Sequence, residues 1–194
     1  RGYVHAVFNV RGSGNSEGFY QLMGRQEVRD ICDLIKWLAA QPWSNGVVGM
    51  FGVSYFARLA KAVAALGPEP LKAIFAPFAG TDDYRHRCYH GGILAHGFIS
   101  HWRNSLHKPN YRSLYKEKHG EAAYKEAIAL ALRDEEIVLQ AGLREALQNP
   151  DAGTNALIVD FVLHPFDGPF WREHSAQDEK ATIPAYLGAC WGNY

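Results

Sequence analysis

Between Val47 and Ala76 the chain passes from an apolar run (Val47 to Phe51), through Ser54, into an alanine-rich segment from Phe56 to Leu66. Gly67-Pro68 closes that segment, and a second apolar run follows from Leu71 to Ala76. Short apolar runs bounded by turn residues read as buried strands, and the longer alanine-rich stretch between them as a helix. Two strands joined through a helix make a βαβ unit and call for a mostly parallel sheet. Upstream, Val28, Ile31, Leu34, Ile35 and Leu38 recur at helical spacing, with Asp30 and Asp33 on the other side. Gln41-Pro42 ends that helix, since proline cannot continue one. Residues 3–10, rich in β-branched and aromatic types, predict a further buried strand, and Ile183 to Cys190 another.

The middle of the chain differs. From Tyr84 to Asn149 no strand pattern stands out, and Glu121 to Leu147 is strongly helical up to Asn149-Pro150. His96 to Ser113 is aromatic-rich and fits no single period. The expected layout is an α/β core at 1–83, a mainly helical cap insertion at 84–163, and a return to the core at 164–194.

Composition narrows the function classes. Of 194 residues, 47% are hydrophobic and 21% charged, which is ordinary for a globular domain. Twenty basic residues balance twenty acidic ones, so the charge pattern offers no footprint for nucleic acid or an acidic membrane surface. No apolar run approaches the ~20 residues of a bilayer span, so no membrane partner is expected. Cys32, Cys88 and Cys190 form no C-x-x-C pair; free thiols are expected, with a lean toward a reducing, cytoplasmic compartment. The chain opens on Arg1-Gly2-Tyr3 and stops at Gly192-Asn193-Tyr194 beside strand-like runs, as though cut at both ends.

Chemistry concentrates at Ser54. Val47-Val48-Gly49-Met50-Phe51-Gly52-Val53-Ser54-Tyr55 places a serine between a buried strand and a helix, the context of a nucleophile elbow. The helix N-terminus would offer backbone N–H groups to a developing oxyanion, with the N–H of Tyr55 as donor. The pattern G-x-S-x-G is broken, because Phe56 stands where glycine is usual and the small Ala57 comes one place later. The same letters also fit an ordinary N-cap serine at a strand–helix turn.

The surroundings add a longer pattern. Arg11-Gly12-Ser13-Gly14-Asn15-Ser16-Glu17-Gly18, then Trp37 with Gln41-Pro42-Trp43, then Gly46 to Tyr55, resembles the serine hydrolases that include X-prolyl dipeptidyl peptidases, cocaine esterase and α-amino-acid ester hydrolases. Asp83-Tyr84-Arg85, His90-Gly91-Gly92, His164-Pro165 and Phe170-Trp171 extend the match. The resemblance implies a partial α/β-hydrolase fold and an acyl-enzyme on Ser54 that cleaves ester, amide or peptide bonds without a cofactor. It puts the second oxyanion donor, a tyrosine hydroxyl, before residue 1, and a jelly-roll domain beyond the C-terminal end. The family's acid pattern falls on Ala189-Cys190-Trp191-Gly192-Asn193, so Asn193 fills the acid position and the histidine should follow Tyr194. An amide there leaves three readings open: an acid from elsewhere, a weakened enzyme, or a shifted match. In a trypsin-like enzyme the Asp-to-Asn change lowers turnover about 10⁴-fold.

Other features have plainer readings. Gly12, Gly14 and Gly18 give G-x-G-x-x-x-G rather than the dinucleotide fingerprint, and a structural loop is the preferred reading. Trp37 and Trp43 flank a helix end and are expected in the core, with a substrate role as the second reading. His86 and His90 are four apart, but Gly91-Gly92 breaks any helix there, so no metal is expected. Phe98, Trp102, Tyr111 and Tyr115 fit either an acyl pocket or cap packing. The rivals to a hydrolase are a non-catalytic binding protein of the same fold and, further off, a nucleotide-binding α/β protein.

Overall fold

The computed structural model describes residues 2–103 and 110–189, apart from the side chains of Arg103 and Asp178. Helix α1 (Arg25–Ala39) leads to strand β1 (Val48–Phe51), helix α2 (Tyr55–Leu66) and strand β2 (Leu71–Pro77). A π-helical turn (Tyr84–Cys88) precedes the short strands β3 (Tyr89–His90) and β4 (Ile93–Leu94). Helices α3 (His96–Arg103), α4 (Leu114–Ala131), α5 (Glu135–Leu139), α6 (Ala141–Gln148) and α7 (Asn155–Val162) follow. Helix α8 (Pro169–His174), a 3-10 turn (Asp178–Lys180) and strand β5 (Ala185–Gly188) complete the order.

The chain divides into two compact units. One gathers residues 22–94 and 166–194 around a parallel sheet in the order β1-β2-β5. Its core is built by the faces that the periodicity marks: Val28, Ile31 and Ile35 from α1, Leu59, Ala60 and Val63 from α2, with Leu71 and Ile74 of β2. Gly67 ends α2 in the left-handed conformation (φ 59°), which glycine adopts without a Cβ penalty. Cys32 and Cys88 are buried free thiols, and Cys190 lies outside the described residues.

The second unit comprises residues 1–21 and 95–165 and is helical. It is organised on Asp160, a fully buried carboxylate and the one charged residue of α7. Asp160 accepts hydrogen bonds from Tyr111 Oη (2.8 Å), Ser113 Oγ (2.5 Å) and the N–H groups of Leu114 (2.7 Å) and Tyr115 (3.3 Å). Ser113 in turn caps α4 by accepting from Lys116 N–H at 3.1 Å. Burial pushes the Asp160 carboxyl up to about 6, against the pull of those four donors.

Three expectations need correcting. Residues 3–10 form no strand, and Tyr3 and Val7 are 94% and 83% exposed. Strand propensity acts through a paired neighbour, and among the described residues this run has no ladder partner. Trp37 and Trp43 are not core residues, being 57% and 54% exposed. Trp37 sits about 200° around α1 from the buried Ile35, so the face that buries one turns the other outward. The middle segment also holds a hairpin, β3 paired antiparallel with β4, where no strand pattern was evident. Its turn is Gly91-Gly92, both at positive φ, so His86 and His90 do not share a helix face.

Candidate active site

Strand β1 delivers the chain to a sharp turn. Ser54 lies there at φ 58° and ψ −119°, exposed at the junction with α2. A residue with a Cβ at such angles is strained by roughly 1–3 kcal/mol and persists only where the surroundings fix it. Three bonds do so: Gly52 N–H to the Phe75 carbonyl (3.0 Å), Ser54 N–H to the Pro77 carbonyl (3.4 Å), and Arg58 N–H to the Ser54 carbonyl (3.0 Å). Ser54 precedes the helix, yet its hydroxyl makes no capping bond and its backbone is not the extended one of an N-cap serine. The geometry is that of a nucleophile elbow.

The two departures from G-x-S-x-G have steric explanations. A Cβ on Gly52 would fall 2.3 Å from Phe56 Cβ and 2.8 Å from the Phe56 carbonyl carbon, so glycine is required at 52. Glycine at 52 leaves room for the Phe56 Cβ, and the Phe56 side chain is 60% exposed, so its ring needs no space in the core. Ala57 is completely buried, and there a small residue is needed.

Tyr55 is the first residue of α2, and the N–H groups of a first turn point out of the helix end. Its phenol donates to Glu27 Oε1, while Glu27 Oε2 accepts the N–H of Met23 at 2.7 Å. Met23 itself sits at φ 55°, ahead of α1. Glu27 is 3% exposed, and burial raises its carboxyl to about 7, although Tyr55, Met23 and the charge of Arg58 pull it down. Glu27 belongs to none of the motifs that the sequence marks out. Its signal was position: it stands four residues before Ile31, on the face of α1 that is buried.

One turn further along α2, Arg58 is buried and donates through Nε to Asp83 Oδ1 at 2.6 Å. Asp83 Oδ2 accepts from Arg87 Nη2 at 2.6 Å, and Asp83 N–H donates to Ser175 Oγ at 3.0 Å. The first turns of α2 are thus tied to α1 through Glu27 and to the chain after β2 through Asp83.

Ser54 and Tyr55 therefore occupy the elbow, while Asn193 lies outside the described residues. Among the described residues no histidine is bonded to Ser54. His86 Nδ1 faces the N–H groups of Thr81 and Asp82, His164 Nδ1 the Asp160 carbonyl, and His174 Nδ1 the Phe170 carbonyl. No cluster of three metal-ligating side chains occurs among the described residues. A cavity of about 290 Å³ along α2 is lined by Arg58, Leu59, Ala62, Leu66, Arg172 and His174, among others, but not by Ser54 or Tyr55.

In the helical unit, the Gly12 loop spends its N–H groups on itself. Gly12 donates to the Glu17 carbonyl (3.0 Å), Ser13 to Val10 (3.0 Å) and Ser16 to Ser13 (2.9 Å). A phosphate cradle presents such groups outward, so a structural loop describes this segment better. Tyr111 is held by Asp160, Tyr115 packs against His119 and His164, and Phe98 stacks on Trp102 at 6.3 Å.

Comparison with known proteins bears on the same residues. The sequence profile described as X-Pro dipeptidyl-peptidase (S15 family) matches residues 1–193. The cocaine esterase of Rhodococcus sp. (strain MB1 Bresler) is 29% identical over 195 residues, covering 98% of this chain and 33% of that protein. The Xaa-Pro dipeptidyl-peptidase of Lacticaseibacillus casei (strain BL23) is 30% identical over 112 residues, covering 50% of this chain and 14% of that protein. A crystal structure of a CocE/NonD family hydrolase from Staphylococcus aureus superposes with a TM-score of 0.62 at 27% identity, over 90% of this chain and 25% of its own. The chain thus spans a third or less of the length of these relatives. Its parallel sheet with flanking helices is a partial α/β-hydrolase fold.

Proposed function

Because the chain belongs to the X-Pro dipeptidyl-peptidase (S15) family, we propose that it carries the nucleophile of a serine hydrolase acting on ester, amide or peptide bonds, with Ser54 forming the acyl-enzyme. The observation that carries this reading is the strained, exposed Ser54 at the β1–α2 turn. Strain of that kind is retained where geometry matters more than stability.

In the proposed reaction Ser54 Oγ attacks the substrate carbonyl carbon as its proton passes to a histidine. The order serine, acid, histidine puts that base after Asn193. The carbonyl oxygen gains the negative charge, and Tyr55 N–H donates to it. The C–O or C–N bond then breaks, the leaving group takes the proton, and water releases the acyl group by the same steps. Loss of one oxyanion donor costs about 10²–10³ in rate in enzymes of this kind. Substrate choice is assigned to the helical segment 84–163. By likeness to the named relatives, small esters and X-Pro peptides are the substrate classes to try.

The competing reading is a binding protein on the same fold. Phe56, Ala57 and Asn193 are the residues that favour it; the first two fit the elbow sterically. The test is fluorophosphonate labelling of the full-length gene product. Labelling at Ser54 that disappears in Ser54→Ala supports the hydrolase, and a folded protein that takes no label overturns it. Hydrolysis of a p-nitrophenyl ester against an Xaa-Pro p-nitroanilide then separates the two substrate classes.

A further inference from the structure

We infer that Glu27 is a positioning residue for the oxyanion site, holding the Tyr55 peptide in place through the Tyr55 hydroxyl. The inference rests on the reading of Ser54 as nucleophile.

The contacts make the case. Glu27 is almost wholly buried on α1, where a carboxylate is costly unless both oxygens are engaged. Both are: one accepts from the Tyr55 phenol, the other from Met23 N–H at 2.7 Å. Tyr55 follows the nucleophile directly, so a bond on its side chain restrains the peptide whose N–H faces the reacting oxygen. Each bond also ends beside a strained backbone, Met23 at φ 55° and Ser54 at φ 58°. The ionisable groups acting on Glu27 are Tyr55 and Arg58 from α2 and Asp30 from its own helix. A leucine at position 27 would pack the core without this cost, but would leave the Tyr55 hydroxyl without that anchor.

A donor misplaced by a fraction of an ångström still donates, only less well, so the expected loss is on the order of tenfold rather than the full loss of a donor. The experiment uses the full-length gene product, a p-nitrophenyl ester and the fluorophosphonate label. Tyr55→Phe and Glu27→Ala should each lower kcat about tenfold and slow labelling of Ser54 to match, with KM within about twofold. The double variant should be no worse than Glu27→Ala alone, since Tyr55→Phe breaks only a contact that Glu27→Ala has already removed. Glu27→Gln should recover most of the rate, because its carbonyl can accept Met23 N–H while its amide donates to the Tyr55 oxygen. Glu27→Ala also strips the acceptor from Met23 N–H; where it does not fold, Tyr55→Phe carries the test. A Tyr55→Phe enzyme with wild-type kcat and labelling rate overturns the inference while Ser54→Ala remains inactive. Activity retained in Ser54→Ala overturns instead the reading on which the inference stands.

Discussion

Arg58 Nε donates to Asp83 Oδ1 across 2.6 Å, with the two side chains only 6% and 2% exposed. Arg87 meets the other oxygen of Asp83 at 2.6 Å, so one carboxylate serves two guanidinium groups inside the fold. Burial lowers the Arg58 pKa, and Asp83 is what keeps the charge tolerable there. Replacing Asp83 by Asn should cost about 3–5 kcal/mol, because the buried Arg58 loses its counter-charge and the half-buried Arg87 loses this partner. Arg87→Leu should cost less, since it leaves a one-to-one pair. Urea unfolding of the two variants checks the order.

Ser54 should be a site where stability and activity separate. Ser54→Ala and Ser54→Gly both remove the nucleophile and should both abolish fluorophosphonate labelling. Only glycine also relieves the positive φ. Ser54→Gly should therefore melt above Ser54→Ala, by on the order of 1 kcal/mol in thermal unfolding.

Gly52→Ala tests the close approach at the elbow. The new methyl would lie 2.3 Å from Phe56 Cβ and 2.8 Å from its carbonyl carbon, closer than atoms can stand. The turn must open, and overpacking of this kind costs about 1–3 kcal/mol. Labelling of Ser54 should fall along with stability. Adding Phe56→Gly should recover only part of either, since the backbone contact remains; a melting and labelling series measures both.

Glu27 and Asp160 predict opposite outcomes for amide substitution. Glu27 is raised from 4.5 to about 7 by burial. A carboxyl whose folded pKa lies above its unfolded value contributes stability that is full at low pH and is lost as pH rises through the folded pKa. Ionising Glu27 thus lowers stability between about pH 4.5 and pH 7, by on the order of 3 kcal/mol. Glu27→Gln has no such slope, so its stability relative to the wild type should climb over that window and level off above it. Asp160 is also raised, to about 6, but four donors converge on it. An amide there points N–H groups at N–H and O–H groups, and Asp160→Asn should lose about 2 kcal/mol or more at pH 7. Urea titrations from pH 5 to pH 8 test both.

What could be read in the sequence was local. Helices α1 and α2 follow from residues three and four apart, and β2 from an apolar run between turn residues, because each carries its own periodicity. Residues 3–10 carry the same letters as a strand, yet a strand exists only against a neighbour, and no neighbour is written into the run itself. Trp37 and Trp43 looked like core residues by type, although helix phase turned Trp37 outward. The elbow was legible because the backbone turn demands small residues at fixed places. Its support was not: Glu27 meets Tyr55 from 28 residues away, and Arg58 meets Asp83 from 25. Asp160 did leave a trace, as the one acid among the apolar residues of α7. A charge in such a run must be buried with partners or exposed, and here four donors gather on it.

Gly52 and Phe56 bear on how such turns can be found in other chains. The letter pattern with two glycines treats positions 52 and 56 as equivalent, but here the space belongs to one side only. Position 52 faces the Cβ and backbone of position 56 and has room for hydrogen alone, whereas the ring on position 56 is largely exposed and finds room. A scan for two glycines would discard this chain. A scan by backbone shape, asking for a left-handed serine between a glycine two places before it and a small buried residue three places after it, would keep it.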